Sequence, residues 1–500
     1  MREFTVIRGA SLLTLDAVGT VVDDGEVWIE GQTIAYAGPP GGFVAGEGDS
    51  VAAIDGRGKV VMPGFANCHT HSYAALLKGT VDAMPLDLFM IAAILGAGSR
   101  TPRDIYLAGK ISALEMLMTG TTACLDHFSN RPSHTVEALE AVCRAYSDAG
   151  VRANVAPMFS DMPFAETIPL EVADMPADLV AAIPGKAQDP DPYFEIVQAV
   201  IETWRDDPFV TVMLGIDSPQ RCSDGLLARA GRFCADHDIG NHSHLLEAKT
   251  QWAMADRRCD NGFVAYLADH GLAGPKSSFA HFVWFDERDL AAAAAAGVNA
   301  VHNPASNMIL GSGIQPLLKL VDAGVNVAFG SDGLNVGHMS MFEKARLAAL
   351  LPRVVEADPD RWLLAPAALR MATVNGAATL GRPGAVGTLE QGQLADLVVL
   401  DGDTIALSPR GDLPAQVLFY ETGANVRDVY VGGERVLKDG KPTRFDAAET
   451  LAEAAEAAAR LAGENADLAE RIEAFRPGIT AMVRRIVSDD HGPCRVARLA

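Results

Sequence analysis

Val61-Met62-Pro63-Gly64-Phe65-Ala66-Asn67-Cys68-His69-Thr70-His71 is the stretch on which the fold turns. It begins as an apolar strand, following Lys59-Val60, and ends in two histidines spaced i, i+2. Side chains two apart on a strand face the same way, so both imidazoles can address one ion. Alone the pair is ambiguous. Two histidines so placed bind a metal or form separate hydrogen bonds at a surface or in a core.

Downstream, from 63 to 385, short β-branched runs alternate with helical patterns. The runs Thr121–Leu125, Val151–Val155, Val210–Gly215 and Val325–Gly330 read as strands, and 104–118, 136–148, 224–237 and 287–296 as helices. This alternation predicts an α/β fold with a parallel sheet or a (β/α)8 TIM-like barrel. The barrel is favoured because polar residues gather at the C-terminal ends of the strands. The flanks differ. Residues 1–62 read as short strands (Phe4–Ile7, Glu26–Glu30, Thr33–Ala37) separated by Gly- and Asp-bearing turns. Residues 386–445 have the same character, with Gly387-Thr388-Leu389, Ala395–Leu400 and Val426–Val431 as strands. Neither flank has enough apolar positions for its own core, so the two are expected to pair into one small β-sandwich. Residues 446–500 form a C-terminal helical extension, rich in Ala and Glu before Gly463 and interrupted by Pro477. It is expected to pack on the barrel or on a neighbouring subunit.

Composition narrows the function. At 49% hydrophobic and 21% charged, the 500-residue chain can fill a large core, which excludes wholesale disorder. A net charge of -23 argues against nucleic acid and anionic membrane as partners, since both need a basic field. No run approaches the roughly 18–20 apolar residues of a membrane span. The start, Met1–Leu13, lacks the long apolar core of a signal peptide. The seven cysteines are scattered with no CxxC pair, which suits reduced thiols. Together these predict a cytoplasmic protein but do not identify its partner; the expectation of a small-molecule substrate comes from the residues below.

Further polar residues stand at strand ends. His244-Leu245-Leu246-Glu247 follows Ile239–Ser243 and places a histidine three residues before a carboxylate. His242 shares the strand face of His244 and competes with it for a ligand role; the Glu at +3 favours His244, leaving His242 as a hydrogen-bonded or pocket-lining residue. His281 ends Ser278-Phe279-Ala280, and Asp332 ends Val327–Ser331. Asp332 alone would read as a loop turn. Jointly, His69, His71, His244 and Asp332 make a His3Asp set at one barrel mouth, suited to a catalytic metal with a position left for water. Glu247 is then the proton shuttle and His281 the polarising group.

The order HxH … HxxE … H … D between two terminal β segments resembles the amidohydrolase superfamily. It is most similar to the cytosine-deaminase-like branch, which includes guanine, adenosine-type and triazine deaminases and chlorohydrolases. Ala280–Trp284, His302–Asn307, Gly330–Gly333 and Ala395–Asp401 add to the likeness, which spans 1–445. The resemblance implies that His69, His71, His244 and Asp332 hold one divalent ion, zinc first, with iron, manganese or cobalt as competitors. Binuclear relatives use a carbamylated Lys after the fourth strand, and Val210–Gln220 contains none, so one metal is expected. The resemblance also implies a homodimer or larger homo-oligomer.

Two departures bear on the substrate. Relatives acting on adenosine-type nucleosides usually carry a ribose-binding Glu about 27 residues after the HxH, but Leu95–Ser99 has no carboxylate. They also carry a His in a Gly-Pro-His-Ser-Pro-type run, where Asp217 stands here in Gly215-Ile216-Asp217-Ser218-Pro219. Asp217 meets a substrate NH or caps backbone NH groups; both readings stand. His302, His338 and His127 are candidate mouth residues, with a structural or solvated role as the alternative. Met339, Met341 and Phe342 are expected in a lid or wall, and Lys78-Gly79 in a structural turn. The loops 72–103 and 157–195 carry no readable motif. The expected activity is hydrolysis of a non-peptide C–N bond by metal-activated water, with deamination of an aminated heterocycle first. Cleavage of a urea, carbamate or amide follows, then triazine dechlorination. A catalytically inactive scaffold is the contrary reading, and it would require lost ligands that this chain retains.

Overall fold

Strands Lys59–Pro63 and Phe65–His71 are separated by one residue, and that residue divides two sheets. It is Gly64, where a Cβ would sit 2.2 Å from Thr122 Oγ1. The close approach of the two sheets therefore requires glycine. The structure is a computed structural model that describes residues 1–96 and 100–493.

Phe65–His71 opens the barrel. Beside it, in parallel order, run Thr121–Phe128, Arg152–Phe159, the split fourth strand (Val210–Val212 with Leu214–Ile216), Asn241–Leu245, Ser277–His281 and Asn299–His302. The eighth strand is also split. Asn326–Phe329 pairs with the seventh strand, and Asp332–Gly333 pairs with the first, at Thr70 and His71. This return to the first strand closes the ring. The interior is packed with small and medium side chains, among them Ala66, Cys68, Ala123, Leu125, Met213, Val301 and Ala328. The predicted helices appear at Pro102–Met118, Val136–Ala149, Asp224–His237 and Glu287–Ala296. The first and last of these carry capping boxes, from Thr101 with Asp104 and from Asp286 with Asp289.

Both chain ends join a single nine-stranded sheet, in which Lys59–Pro63 lies between Glu3–Leu13 and Leu397–Asp401. A shared core of Ile7, Leu12, Val27, Ile29, Val61, Leu397, Val399 and Tyr430 shows why neither end suffices alone. Two details differ from expectation. Ser50–Asp55, mostly exposed, forms an additional strand beside Glu3–Leu13. Gly387-Thr388-Leu389 is not a strand; Leu389 N–H donates to Thr14 O at 3.0 Å, and Thr388 is tied to Gln393 and Glu390. A buried bidentate pair, Arg152 Nε and Nη2 to Asp396 at 2.8 and 3.0 Å, rivets this sheet to the third barrel strand.

The tail forms helices Ala447–Glu464, Leu468–Glu473 and Arg476–Ser488. It packs on this chain's own barrel loops: Ile472, Phe475, Ile479 and Met482 share a core with Leu88, Ile91, Phe164, Ile168, Met175 and Ile183. Residues 494–500 of the expected extension, including Cys494, lie outside the described residues. So do 97–99, where the ribose-binding carboxylate of relatives was sought.

Candidate active site

Four non-glycine residues with positive φ stand where the fifth, sixth and eighth strands end: Leu246 (48°), His281 (70°), Phe282 (42°) and Asp332 (63°). Such backbone costs about 1–3 kcal/mol per residue and persists only where the surroundings enforce it. Here it turns the side chains of the strand ends toward the barrel axis. Gly330 allows the eighth strand to approach the first, since a Cβ there would lie 2.7 Å from His69 Cβ and 2.2 Å from Asn303 Oδ1.

His69, His71, His244 and Asp332 converge. His71 Nε2 lies 3.2 Å from Asp332 Oδ1 and 3.2 Å from His244 Nε2, and His69 Nε2 lies 3.7 Å from Asp332 Oδ1. Donors bound at about 2.0–2.2 Å around one tetrahedral ion stand roughly 3.4 Å apart, so these separations fit a single cation. The ring orientations agree. His71 Nδ1–H donates to His127 O at 2.6 Å and His244 Nδ1–H to Asp217 O at 2.5 Å, which leaves both Nε2 lone pairs facing inward. His69 Nδ1 bonds His242 Nε2 at 2.8 Å, and His242 Nδ1 bonds Ser278 Oγ at 2.7 Å. This relay leaves His69 Nε2, which is buried and has no hydrogen-bond partner, turned toward Asp332. Burial and the neighbouring imidazoles hold His69 well below the ordinary histidine range and His244 at about 3. Neutral imidazoles are what a divalent ion requires. Burial pushes the Asp332 carboxyl up, but His71, His281 and the Ser306 hydroxyl hold it below its usual value.

Glu247 and His281 flank this set. Burial is the main cause that pushes the Glu247 carboxyl up to about 7, with Asp332 adding to it. Ser312 Oγ donates to its Oε1 at 3.1 Å, and its own N–H donates to Gln251 Oε1 at 2.8 Å. His281 is fixed through Nδ1 to Asn307 Oδ1 at 2.8 Å, with Glu247 Oε1 3.6 Å from the same nitrogen and Asp332 Oδ2 3.9 Å from Nε2. A cavity joins these groups. It is lined by His71, His244, Glu247, His281 and Asp332 on one side and by Leu86, Phe89, Met90 and Leu310 on the other.

The remaining candidates divide. Asp217 lines the cavity and is ion-paired with Arg221. Burial pushes its carboxyl up, while Arg221, His244 and Arg131 together hold it below the usual range. His302 does not line the cavity; its ring is buried at the end of the seventh strand, 6.4 Å from Phe329 and within reach of the His281 charge. His338 is likewise outside it, half-exposed, 3.4 Å from Glu343 and accepting from Ser340 N–H. The His127 ring is buried against the same histidine cluster, 4.7 Å from His244. Met339, Met341 and Phe342 are core residues, with Phe342 edge-on to Phe65 at 4.6 Å. Lys78 pairs with Glu115 at 3.1 Å.

Several cavity residues were not foreseen: Tyr73, Arg221, Gln251 and the apolar wall on helix Leu86–Leu95. Tyr73 and Arg221 had a usable signal, standing two residues after His71 and four after Asp217. The apolar wall had none.

Comparison with known proteins agrees with this architecture. The model of the amidohydrolase family matches residues 60–436. A 5-methylthioadenosine/S-adenosylhomocysteine deaminase of Desulforamulus reducens is 31% identical over 92% of this chain and 99% of its own length. An adenosine deaminase from Xanthomonas campestris, solved with bound zinc, superposes with a TM-score of 0.80 at 25% identity, covering 91% of this chain and 98% of that one. An atrazine chlorohydrolase from Arthrobacter aurescens shares the fold, with a TM-score of 0.78 at 24% identity over 91% of this chain and 100% of that one. Among the described residues, no helix is long and apolar enough to cross a membrane.

Proposed function

The chain belongs to the amidohydrolase family, and from that premise we propose that it deaminates an aminated heterocycle with the help of one divalent cation. The observation that carries this reading is the convergence of three inward Nε2 atoms and Asp332 Oδ1 beside a carboxyl raised to about 7. His69, His71, His244 and Asp332 would hold the ion. Zinc is the expected metal, given the N3O donor set and the zinc in the Xanthomonas neighbour, with iron, manganese and cobalt as competitors. When bound, such an ion makes water acidic enough to ionise near neutral pH.

The chain's own groups then divide the work. Glu247 takes the water proton as oxygen attacks the sp² carbon that bears the amino group. A carboxyl that titrates near neutrality is well placed both to accept that proton and to return it. His281, held by Asn307, faces the charge that develops on the ring. Glu247 delivers the proton to the departing nitrogen, which leaves as ammonia. Asp332, braced by Ser306, would hold the ion through one oxygen and orient the attacking water. The apolar wall of Leu86, Phe89 and Met90 shields the ring from bulk water.

The relatives' names bring adenosine derivatives into the substrate panel. Asp217 and its Arg221 pair, at the place where nucleoside-active relatives usually carry histidine, favour a different ring or substituent. Assembly as a homodimer or larger is part of this reading. Leu350, Val354, Val355 and Leu364 are exposed apolar residues close in the chain, and light scattering tests the assembly. A reducing, cytoplasmic setting suits the six described cysteines, all free.

Product analysis by mass spectrometry is the test. Metal-loaded protein is offered aminopurines, adenosine derivatives, aminopyrimidines, pterins, aminotriazines and aryl ureas. The expected product carries OH in place of NH2 and appears with ammonia. Glu247→Gln should retain the metal and lose roughly 10²–10⁴-fold in kcat. Release of an organic amine or of chloride would reassign the reaction, and wild-type turnover by Glu247→Gln would remove that residue from it.

A further inference from the structure

The cavity that touches the His–Asp set is also lined by Arg221, so one small ligand can reach both. Arg221 comes from the turn Pro219–Arg221 after the fourth strand and is 5% exposed. Its Nη1 sits 3.4 and 3.3 Å from the two Asp217 oxygens, and its Nε is buried with no hydrogen-bond partner. Arg131 approaches the same carboxylate, with Nη2 3.8 Å from Asp217 Oδ2. Arg100 lies close enough for its charge to act on Arg131, and its guanidinium stands 5.0 Å over the Tyr73 ring. Its one hydrogen bond among the described residues is to Ser129 O at 3.4 Å, and its Nε is also buried and unpartnered.

Two guanidiniums thus share one carboxylate, with a third behind Tyr73. A guanidinium carries five donors, and buried donors left unmade are costly. In a chain with net charge -23, three guanidiniums gather around the one Asp217 carboxylate. Such local fields draw oppositely charged ligands. Arg131 also lines the large neighbouring cavity of about 760 Å³, beside Lys186, His134 and Gln188, with Asp189 as its acid. A neutral amino-heterocycle has no use for this excess.

We propose that the substrate carries an anionic oxygen group, a carboxylate or a phosphate ester, next to its aminated ring, and that Arg221 and Arg131 receive it. The inference rests on the deaminase reading above. Planar guanidinium forks suit both anions, since each presents paired oxygens. Asp217 keeps Arg221 turned to the cavity, and its backbone carbonyl holds the His244 ring, so the anion subsite and the metal subsite are built on the same residue.

Metal-loaded protein is assayed for ammonia release with matched pairs: adenosine against adenosine 5′-phosphate, and pterin and aminopyrimidine against their ring carboxylates. In at least one pair kcat/KM for the anionic member should exceed that of its neutral partner by tenfold or more. The phosphate and carboxylate arms identify the source of the charge. In Arg221→Met the anionic-to-neutral ratio should fall toward one. Arg131→Gln, at a side chain that is 20% exposed, repeats the test without emptying a buried site. Deamination that is equal for neutral and anionic partners overturns the subsite while leaving the deaminase reading intact. An unchanged ratio in both variants does the same. Failure of every compound to release ammonia, with metal bound, removes both.

Discussion

The two walls of the catalytic cavity are built differently. The histidine–aspartate wall comes from strand ends: His71 and His281 close their strands, His244 is the last but one of its strand, Asp332 opens the short closing segment of the eighth, and each of the three rings is aimed by a hydrogen bond to a neighbouring strand or loop. The opposite wall comes from helix Leu86–Leu95 and from loops that the C-terminal helices hold in place. A strand end has a fixed position and direction, so chemistry placed there leaves a local signature. A wall assembled from three distant segments leaves none. Mutations should separate the walls: the first should control metal and proton transfer, the second substrate affinity.

The largest expected effect is on the metal wall. His244→Ala should bring bound metal, measured by elemental analysis, below one ion per chain. Its turnover should fall by more than the roughly 10²–10⁴-fold expected for Glu247→Gln. Full metal content in this variant would show that the convergence of the four donors does not need His244.

The next effect concerns stability in metal-free protein. Glu247 titrates near 4.5 when free and at about 7 in the fold, so the fold favours its protonated form. The ionised group therefore costs stability as pH rises from 4.5 to 7, and the cost is complete above that range. Glu247→Gln should stabilise the metal-free protein by up to about 3 kcal/mol at pH 8 and by nothing near pH 4.5. Urea unfolding at the two pH values measures it. A gain of equal size at both would mean that the charge of Glu247 is not the cause.

A smaller change tests the relay behind His69. His242 accepts from His69 Nδ1 and is itself fixed by Ser278, so His242→Phe frees the ring to turn. Removing such a partner typically costs about 10–100-fold in metal affinity. Competition with a chelator reads this directly, and unchanged affinity would reduce His242 to packing.

These contrasts explain what the sequence could show. The barrel and the convergence of His69, His71, His244 and Asp332 were legible because HxH, HxxE and a terminal Asp are short motifs on strands, whose periodicity fixes where side chains point. The pairing of the two chain ends was legible because each lacked a core of its own, as Val61 packing with Leu397 and Ile29 confirms. His242 was recognised as a competitor of His244, but its bond to His69 joins residues 173 positions apart and has no local trace. His302 and His338 do not line the cavity, which no local signal announces. His302 was expected at the mouth from the seventh-strand loop and His338 from its place after Asp332; the first is buried at the end of its strand, and the second lies 3.4 Å from Glu343. Arg221 was passed over because a single Arg in a turn reads as surface, and only burial against Asp217 gives it meaning.

The smallest expected effect belongs to the tail, and it discriminates the two walls most sharply. Ile479 is fully buried in the core that joins helix Arg476–Ser488 to Leu88, Ile91, Phe164 and Ile168. Arg485 pins the same helix to Asp174 at 2.5 Å and Glu171 at 2.9 Å, and Arg476 Nη1 donates to Ala83 O at 2.9 Å. The tail therefore grips segments of the loops 72–103 and 157–195 without touching the His–Asp set. Ile479→Ala deletes packing of the kind that costs about 2–5 kcal/mol, and the loosened elements are those that carry Leu86, Phe89 and Met90 into the cavity. KM should rise severalfold, while metal content and the pH dependence of kcat stay those of the wild type. A fall in metal content would mean that the walls are one cooperative unit. An unchanged KM would mean that helix Leu86–Leu95 holds its position without the tail, and that the extension serves some other surface.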